Sequence, residues 1–111
     1  IGLELAQSIY AIALDQKATG QTINYNADVA AYAKKDLKAG DRLDGEGGFC
    51  ARGKLITSKK SKKEKILPLG LTDGAIVKKD INKDQSIRLN DVELNLPEVV
   101  IKARQYQYDL I

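Results

Sequence analysis

The chain of 111 residues contains no histidine and a single cysteine, Cys50. A disulfide therefore cannot close within one chain, and a tetrahedral zinc site built from cysteine and histidine is excluded. Without histidine, general acid–base chemistry would depend on carboxylates in tuned environments. A lone cysteine fits a reducing compartment, so we expect a cytoplasmic protein.

Long apolar runs are also missing. No stretch approaches the ~20 residues of a membrane-spanning helix, and no secretory leader pattern appears. The hydrophobic fraction of 43% and the charged fraction of 30% are ordinary for a globular domain. At this length we expect one domain with one modest core, and no membrane partner.

Positive charge is concentrated in one stretch. Residues 52–65 contain seven lysines and arginines against one acid, Glu64, whereas the rest of the chain is net acidic. Nucleic-acid-binding domains usually spread such charge over a face, with aromatic rings nearby for single strands. The aromatic residues here are dispersed, so we expect no nucleic-acid partner. The polar run 58–65 is interpreted as a solvated loop or one exposed helical turn.

A weak internal repeat covers the middle of the chain. Residues 34–37 read Lys-Lys-Asp-Leu and residues 78–81 read Lys-Lys-Asp-Ile, which is an offset of 44. Each copy follows an apolar patch, and each is followed six residues later by an apolar residue, Leu43 or Ile87. The repeat predicts two related β-elements in one small module, with the paired lysines solvated.

Hydrophobic periodicity predicts a helix at each end. Apolar residues with helical spacing in residues 1–17 predict core packing of the first helix. The alternative is that this stripe docks on a domain missing from the chain. Short runs bounded by turn residues predict strands between the helices. The stripe is formed by Ile1, Leu5, Ile9 and Ile12, widened by Leu3, Ala6, Ala13 and Leu14. Strands are expected at 27–34, 42–44, 49–57 and 75–79. The last helix is expected at 98–110, with Val99, Ala103, Tyr106 and Leu110 on one side.

A glycine-rich loop, Asp44-Gly45-Glu46-Gly47-Gly48, carries two acids. It matches neither the dinucleotide fingerprint nor a Walker loop, because no Gly-x-Gly-x-x-Gly opens a helix and no Gly-Lys-Ser/Thr follows. A tight structural loop is the favoured interpretation, although its backbone amides could bind a small polar ligand. Cys50 follows the loop and is predicted to be a small buried hydrophobe, since no histidine can activate it.

Residues 31–44, Ala-Tyr-Ala-Lys-Lys-Asp-Leu-Lys-Ala-Gly-Asp-Arg-Leu-Asp, resemble the entry strand and turn of the SAF domain, the antifreeze-like module of sialic acid synthases and altronate dehydratases. The ordered motifs Gly-Glu-Gly-Gly, Leu-Pro-Leu-Gly-Leu and Lys-Lys-Asp-Ile further resemble the C-terminal region of homoserine dehydrogenase-like NAD(P)-dependent oxidoreductases. The poorest match is the lysine-rich run 58–65.

This resemblance implies a mainly β fold, a compact β-clip with a pseudo-two-fold repeat and a helix on each side. Residues 1–25 would be a helix and linker from an absent upstream domain, 26–95 the SAF-like domain, and 96–111 the C-terminal helix. A Rossmann-type domain of the same polypeptide would hold NAD(P), so this chain alone would be non-catalytic and hold no cofactor or metal. It would contribute to substrate binding or subunit association, as a homo-oligomer.

For a small anionic substrate, the candidate binding residues are the loop Asp44, Gly45, Glu46, Gly47 and Gly48, together with Arg52. The loop offers backbone amides and carboxylates, and an arginine can clamp an anion with paired hydrogen bonds. The alternative function is a free-standing SAF module that binds a sugar acid or glycan. A sugar-acid dehydratase fragment is disfavoured, because no metal-ligand cluster or base is visible in the sequence.

Overall fold

The structure, a computed structural model, describes residues 2, 4–21 and 23–109. It is a small domain with two antiparallel sheets and three α-helices. The helices contain more residues than the strands, so the expected "mainly β" class is only loosely supported. The elements are α1 (Leu5–Asp15), β1 (Ala27–Ala33), β2 (Arg42–Asp44), β3 (Ala51–Thr57), α2 (Ser58–Glu64), β4 (Asp73–Val77), β5 (Val92–Glu93) and α3 (Glu98–Asp109).

The two sheets are β1 paired with β3, and the three-stranded sheet β2–β4–β5. In the first sheet the register runs from Ala27 opposite Thr57 to Ala33 opposite Ala51. The middle of β1 is alanine-rich, and its small side chains let other backbone segments approach. The Ala31 amide donates to the Leu67 carbonyl at 2.8 Å, and the Ile87 amide donates to the Ala31 carbonyl at 2.9 Å. These hydrogen bonds connect β1 to the segments that contain Leu67 and Ile87.

The two Lys-Lys-Asp copies meet each other at their closing apolar residues. The Leu37 amide donates to the Ile81 carbonyl at 2.8 Å, and the Ile81 amide donates to the Leu37 carbonyl at 2.9 Å. These residues are 44 apart, which is the offset of the repeat. A reciprocal pair of bonds between equivalent residues is what a two-fold axis between the copies produces.

Further hydrogen bonds repeat this exchange. The bond from the Gly40 amide to the Val77 carbonyl, at 2.8 Å, has its counterpart from the Asp84 amide to the Ala33 carbonyl, at 2.9 Å. Side chains follow the same symmetry: Asp80 Oδ1 accepts from the Ala39 amide at 2.9 Å, and Asp36 Oδ1 accepts from the Lys83 amide at 2.8 Å. The repeat is therefore architectural, and each copy completes the turn of the other.

All four lysines of the two copies are exposed, as predicted, and two of them also bond to a neighbouring segment. The Lys34 ammonium donates to the Gly48 carbonyl, and Lys79 Nζ lies 2.8 Å from Asp91 Oδ1. Both lysines therefore attach a strand to a neighbouring loop. The physical reason is that each strand ends beside a segment with an available oxygen, which the sequence does not reveal.

Helix α1 contradicts the prediction of core packing, because none of its residues is buried. Its large apolar side chains remain mostly exposed, at 72% for Leu5, 65% for Ile9 and 63% for Ile12. The helix ends at Gln16, whose φ of 52° closes the last turn, rather than at Gly20. Of the predicted stripe, Ile1 and Leu3 lie outside the described residues.

The other two helices bury few residues, and those are polar or aromatic. The run predicted as a loop or one exposed turn is helix α2, which Thr57 Oγ1 caps by accepting from the Lys60 amide at 3.3 Å, and which buries Ser58 and Ser61. In α3 only Tyr108 is buried among the described residues, whereas Val99 and Tyr106 are exposed. The predicted apolar side of α3 is thus not its packed side, and Leu110 lies outside the described residues.

No helix within residues 2, 4–21 and 23–109 is both long enough and apolar enough to span a bilayer.

Candidate functional site

The glycine-rich loop is closed by its own first residue. The Asp44 carboxylate accepts hydrogen bonds from the Phe49 amide at 2.6 Å and the Cys50 amide at 2.9 Å. A Cβ at Gly48 would overlap with that carboxyl group, so only glycine fits there. Gly45 and Gly47 have φ angles of 78° and 80°, which side chains rarely adopt. The geometry is that of a tight structural loop.

The loop also shifts the pKa values of the two ionisable residues at its ends, Asp44 and Cys50. Hydrogen bonds from the Phe49 and Cys50 amides lower the pKa of Asp44 to about 2. Burial, followed by the Asp44 carboxylate, raises the pKa of the Cys50 thiol. Cys50 is buried, which confirms the sequence prediction, and its raised pKa keeps it protonated and unreactive.

The depressed pKa of Asp44 predicts a pH-dependent contribution to stability. The folded pKa of about 2 lies below the usual carboxyl value of 3.8, so the stabilisation is present above pH 4 and is lost as the pH falls towards 2. Because this carboxylate is exposed, we expect a contribution on the order of 1 kcal/mol.

Urea denaturation of the wild type and Asp44→Asn across this pH range checks that expectation. The difference in unfolding free energy between the two should shrink as the pH is lowered, whereas a constant difference would show that ionisation of Asp44 does not stabilise the loop.

Arg52 lies in a second cluster, on the exposed side of the β1–β3 sheet. Its Nη2 atom donates to Asp84 Oδ1 at 2.9 Å, and its Cζ atom lies 6.0 Å from the centroid of the Tyr32 ring. Lys54 Nζ lies 5.2 Å from the same centroid. Tyr32 is directly opposite Arg52 in the register, and residues 52 and 54 share a face because side chains alternate along a strand. We call Tyr32, Arg52, Lys54 and Asp84 the Tyr32 cluster.

The structure brings the loop and Arg52 to the same end of the β1–β3 ladder. The loop continues through Phe49 and Cys50 directly into β3, and the Lys34 bond to the Gly48 carbonyl ties it to the end of β1. The hydrogen bond of Arg52, however, goes to Asp84 and not to the loop. The loop acids and Arg52 are therefore close in sequence, but their side chains take part in two separate sets of hydrogen bonds. Their role in ligand binding stays a prediction.

Sequence reasoning missed Tyr32, Lys54 and Asp84. Two signals point to them in retrospect. Alternation along β3 places Lys54 on the face of Arg52. The repeat places Asp84 at the corner equivalent to Gly40, and that corner lies against β1 through the bond from the Asp84 amide to the Ala33 carbonyl.

A groove of about 630 Å³ lies between α3 and β1. At its base the Arg104 guanidinium and the Ser61 hydroxyl both donate to Asp28 Oδ2, and the side chains of Arg104 and Asp28 are only 13% and 7% exposed. The rings of Tyr25 and Tyr108 lie 5.1 Å and 4.5 Å from Arg104 Cζ. Burial, and then Asp28 nearby, raise the pKa of Tyr25 well above its usual value.

This buried ion pair attaches α3 to β1 and α2. Its partners are far apart in sequence, at positions 28, 61 and 104, so no local sequence pattern predicts it.

Within the part of the chain the structure describes, no group of three or more Asp, Glu, Cys or His side chains is placed to hold a metal ion.

The comparison with protein families agrees with this architecture. The model of the SAF domain family matches residues 28–93, from the end of β1 that carries Asp28 to the end of β5. Because the match covers more than half of the chain, the chain belongs to the SAF domain family. A search of the curated proteins gave no match.

Proposed function

We propose that this SAF domain is a non-catalytic accessory module that helps to bind a small anionic substrate of the sugar-acid class through the Tyr32 cluster. The observation that carries the proposal is the placement of Arg52 beside the Tyr32 ring, with Lys54 over the same ring. SAF domains generally serve as carbohydrate-binding or accessory domains.

The charges of the cluster suit a carboxylate ligand. Two cations, Arg52 and Lys54, stand against the one carboxylate of Asp84, which leaves a surplus positive charge. The guanidinium has five N–H donors, more than the single Asp84 oxygen it meets can accept. The side chain of Arg52 is 46% exposed, so a ligand can reach it. The Tyr32 ring adds an apolar face against which a sugar can lie.

We further propose that the module works within a cytoplasmic NAD(P)-dependent oxidoreductase of the homoserine dehydrogenase-like type. Residues 26–95 would be its β-clip domain, 1–25 the helix and linker towards a Rossmann-type domain, and 96–111 the C-terminal helix. The support is the order of motifs in the sequence, together with the SAF match. NAD(P) would then bind to the Rossmann-type domain and not to this chain.

Replacing Arg52 by alanine tests the ligand site. We expect isothermal calorimetry with gluconate, as a probe of the sugar-acid class, to show binding that Arg52→Ala weakens by roughly tenfold or more, because a charge-assisted hydrogen bond is lost. In a full-length oxidoreductase the same change should raise KM for an anionic substrate.

Three controls accompany this experiment. Arg42→Ala removes an exposed arginine of the other sheet and should leave gluconate binding unchanged. Glucose, which lacks the carboxylate, should bind more weakly than gluconate, and NADPH should give no heat. Equal gluconate binding by the wild type and Arg52→Ala would refute the role of Arg52, and clear NADPH binding would place a cofactor site in this chain.

The alternative function, a free-standing module that binds a sugar acid or glycan, rests on the same cluster. The coding sequence upstream of Ile1 separates the two. An in-frame strand, glycine loop and helix of the Rossmann type would support the oxidoreductase, whereas a barrel domain or a nearby start codon would support the free-standing module.

A further inference from the structure

A pocket of about 340 Å³ lies on the second copy of the repeat and is lined mainly by polar side chains. They come from the segments between the end of β4 and the start of β5. We call it the Arg88 pocket. Its polar groups belong to Lys79, Asp80, Gln85, Ser86, Arg88 and Asp91.

The carboxylates of this pocket already have partners. Asp91 is only 7% exposed; its Oδ1 atom lies 2.8 Å from Lys79 Nζ, and its Oδ2 atom accepts from the Arg88 amide at 3.1 Å. The two oxygens of Asp80 accept from a backbone amide and a lysine ammonium of the first copy, each at 2.9 Å. A cation bound here would have to displace these bonds.

The hydrogen-bond donors of the pocket, in contrast, lack acceptors. The Arg88 guanidinium carries five N–H groups, and no described residue accepts from it. The Ser86 hydroxyl likewise meets no partner among the described residues. Gln85 Oε1 accepts from a backbone amide of its own turn at 3.1 Å, which leaves the NH₂ group of this side chain to donate.

Charge and hydrogen bonding therefore favour the same kind of ligand. Each carboxylate of the pocket is balanced by a lysine, so Arg88 contributes a positive charge that no described residue neutralises. A ligand that satisfies a guanidinium, a hydroxyl and an amide group at once must consist mostly of acceptor oxygens. A phosphate ester has three such oxygens and a charge of about −1.5 to −2, and arginine binds it through paired hydrogen bonds.

The Arg88 pocket adjoins the Tyr32 cluster. Ser86 lies directly opposite Tyr32 in an antiparallel bridge, and Tyr32 lies opposite Arg52 on its other side. Directly opposed residues share a face, so the face that carries Arg52 continues through Tyr32 to the pocket. Neighbouring strands are about 4.8 Å apart, which places Arg52 and Ser86 about 10 Å from each other across the Tyr32 ring.

We propose that the Arg88 pocket is a phosphate subsite, and that the ligand of the Tyr32 cluster is a sugar acid with a phosphate ester at its other end. The carboxylate would meet Arg52, the phosphate would meet Arg88, and the sugar chain would lie along Tyr32 between them. The carboxylate end of this inference rests on the proposed function, whereas the phosphate end rests on the pocket alone. The first copy of the repeat has Asp44 at the position equivalent to Arg88, so only one half of the domain offers the subsite.

Titration with inorganic phosphate tests the subsite by itself. We expect the backbone amide NMR signals of Gln85, Ser86 and Arg88 to shift to saturation at constant ionic strength, and Arg88→Ala to weaken phosphate binding by roughly tenfold or more. Arg42→Ala is the matched control, because it removes an equally charged, exposed side chain at the position equivalent to Ser86. It should leave phosphate binding unchanged, and circular dichroism verifies that both variants are folded.

Two results of this titration would overturn the subsite. One is the absence of saturable shifts in the wild type. The other is a set of shifts centred on the lysines of α2 and insensitive to Arg88→Ala, which would place the anion on that helix instead.

Calorimetry with phosphogluconate tests the joint ligand. The wild type should bind it roughly tenfold or more tightly than gluconate, and Arg88→Ala should remove that advantage, because the charge-assisted bonds to the phosphate are lost. Equal affinity of the wild type for the two ligands would refute the joint ligand. Phosphate binding that depends on Arg88, combined with no binding of gluconate, would refute the proposed function of the Tyr32 cluster and support the subsite, so the two failures are distinguishable.

Discussion

Replacing Arg104 by methionine is expected to lower the free energy of unfolding by about 3–5 kcal/mol. Methionine has a similar volume but no charge, so Asp28 is left buried with its carboxylate facing an apolar neighbour. The Ser61 hydroxyl and the Val29 amide still donate to Asp28, but neutral donors cannot replace a guanidinium. Urea denaturation followed by circular dichroism measures the loss, and α3 should be the first element to lose amide protection against hydrogen exchange.

Two variants show that burial causes the effect. Arg52→Met removes an exposed ion pair on the same sheet and should cost no more than about 1 kcal/mol. The double variant Asp28→Leu with Arg104→Met removes both charges and should recover a large part of the loss, because an apolar pair avoids the desolvation cost. If Arg104→Met were no more harmful than Arg52→Met, the ion pair would not be what holds α3 in place.

The second large expected loss of stability comes from truncating Leu37 or Ile81, the two residues that meet at the pseudo-two-fold axis. Leu37 and Ile81 are 0% and 4% exposed, and Leu37→Ala or Ile81→Ala should each cost about 2–5 kcal/mol through lost burial and the cavity left behind. The two costs should be similar, because the residues occupy equivalent places in the two copies.

A double-mutant cycle on this pair measures their dependence on each other. Residues in contact usually couple by about 0.5–3 kcal/mol, so the double variant should not cost the sum of the two single variants. Val99→Ala is the control, since Val99 is 71% exposed on α3, and its effect should stay within about 0.5 kcal/mol. Strict additivity for Leu37 and Ile81 would mean that the axis is not a shared packing unit.

The internal repeat made the centre of this fold predictable from sequence. An offset of 44 between the Lys-Lys-Asp copies indicated two related β-elements, and the reciprocal bonds between Leu37 and Ile81 realise that relation. Strands β1, β2 and β3 also lie within a few residues of their predicted bounds. Their signals are local, because they come from small or apolar residues ended by glycine turns.

The attachment of the helices was not predictable in the same way. The apolar stripe of α1 indicates a helix but not what covers it, and the expected core packing is absent. Residues 58–64 are almost entirely polar, yet they fold as a helix because Thr57 caps it and the Ser61 hydroxyl donates to Asp28. Hydrogen bonds between residues distant in sequence leave no periodic pattern.

The candidate site was predicted in part. The sequence singled out Arg52 and the loop from Asp44 to Gly48, and the structure places both at one end of the β1–β3 ladder. It could not show that Asp44 closes the loop on itself, or that Arg52 meets Asp84, because both depend on how turns fold back.

Gly40 and Asp84 occupy equivalent turns in the two halves of the repeat, so the backbone and side chains of the two turns can be compared directly. Both residues take a left-handed backbone, with φ angles of 93° and 66°, but only glycine does so without a steric penalty. For a residue with a side chain the strain is about 1 kcal/mol. The second half tolerates that strain at the residue whose carboxylate holds Arg52. The left-handed corner is thus required by the fold, since both halves have it. The Asp84 side chain is present in only one half, so it belongs to the surface that carries Arg52.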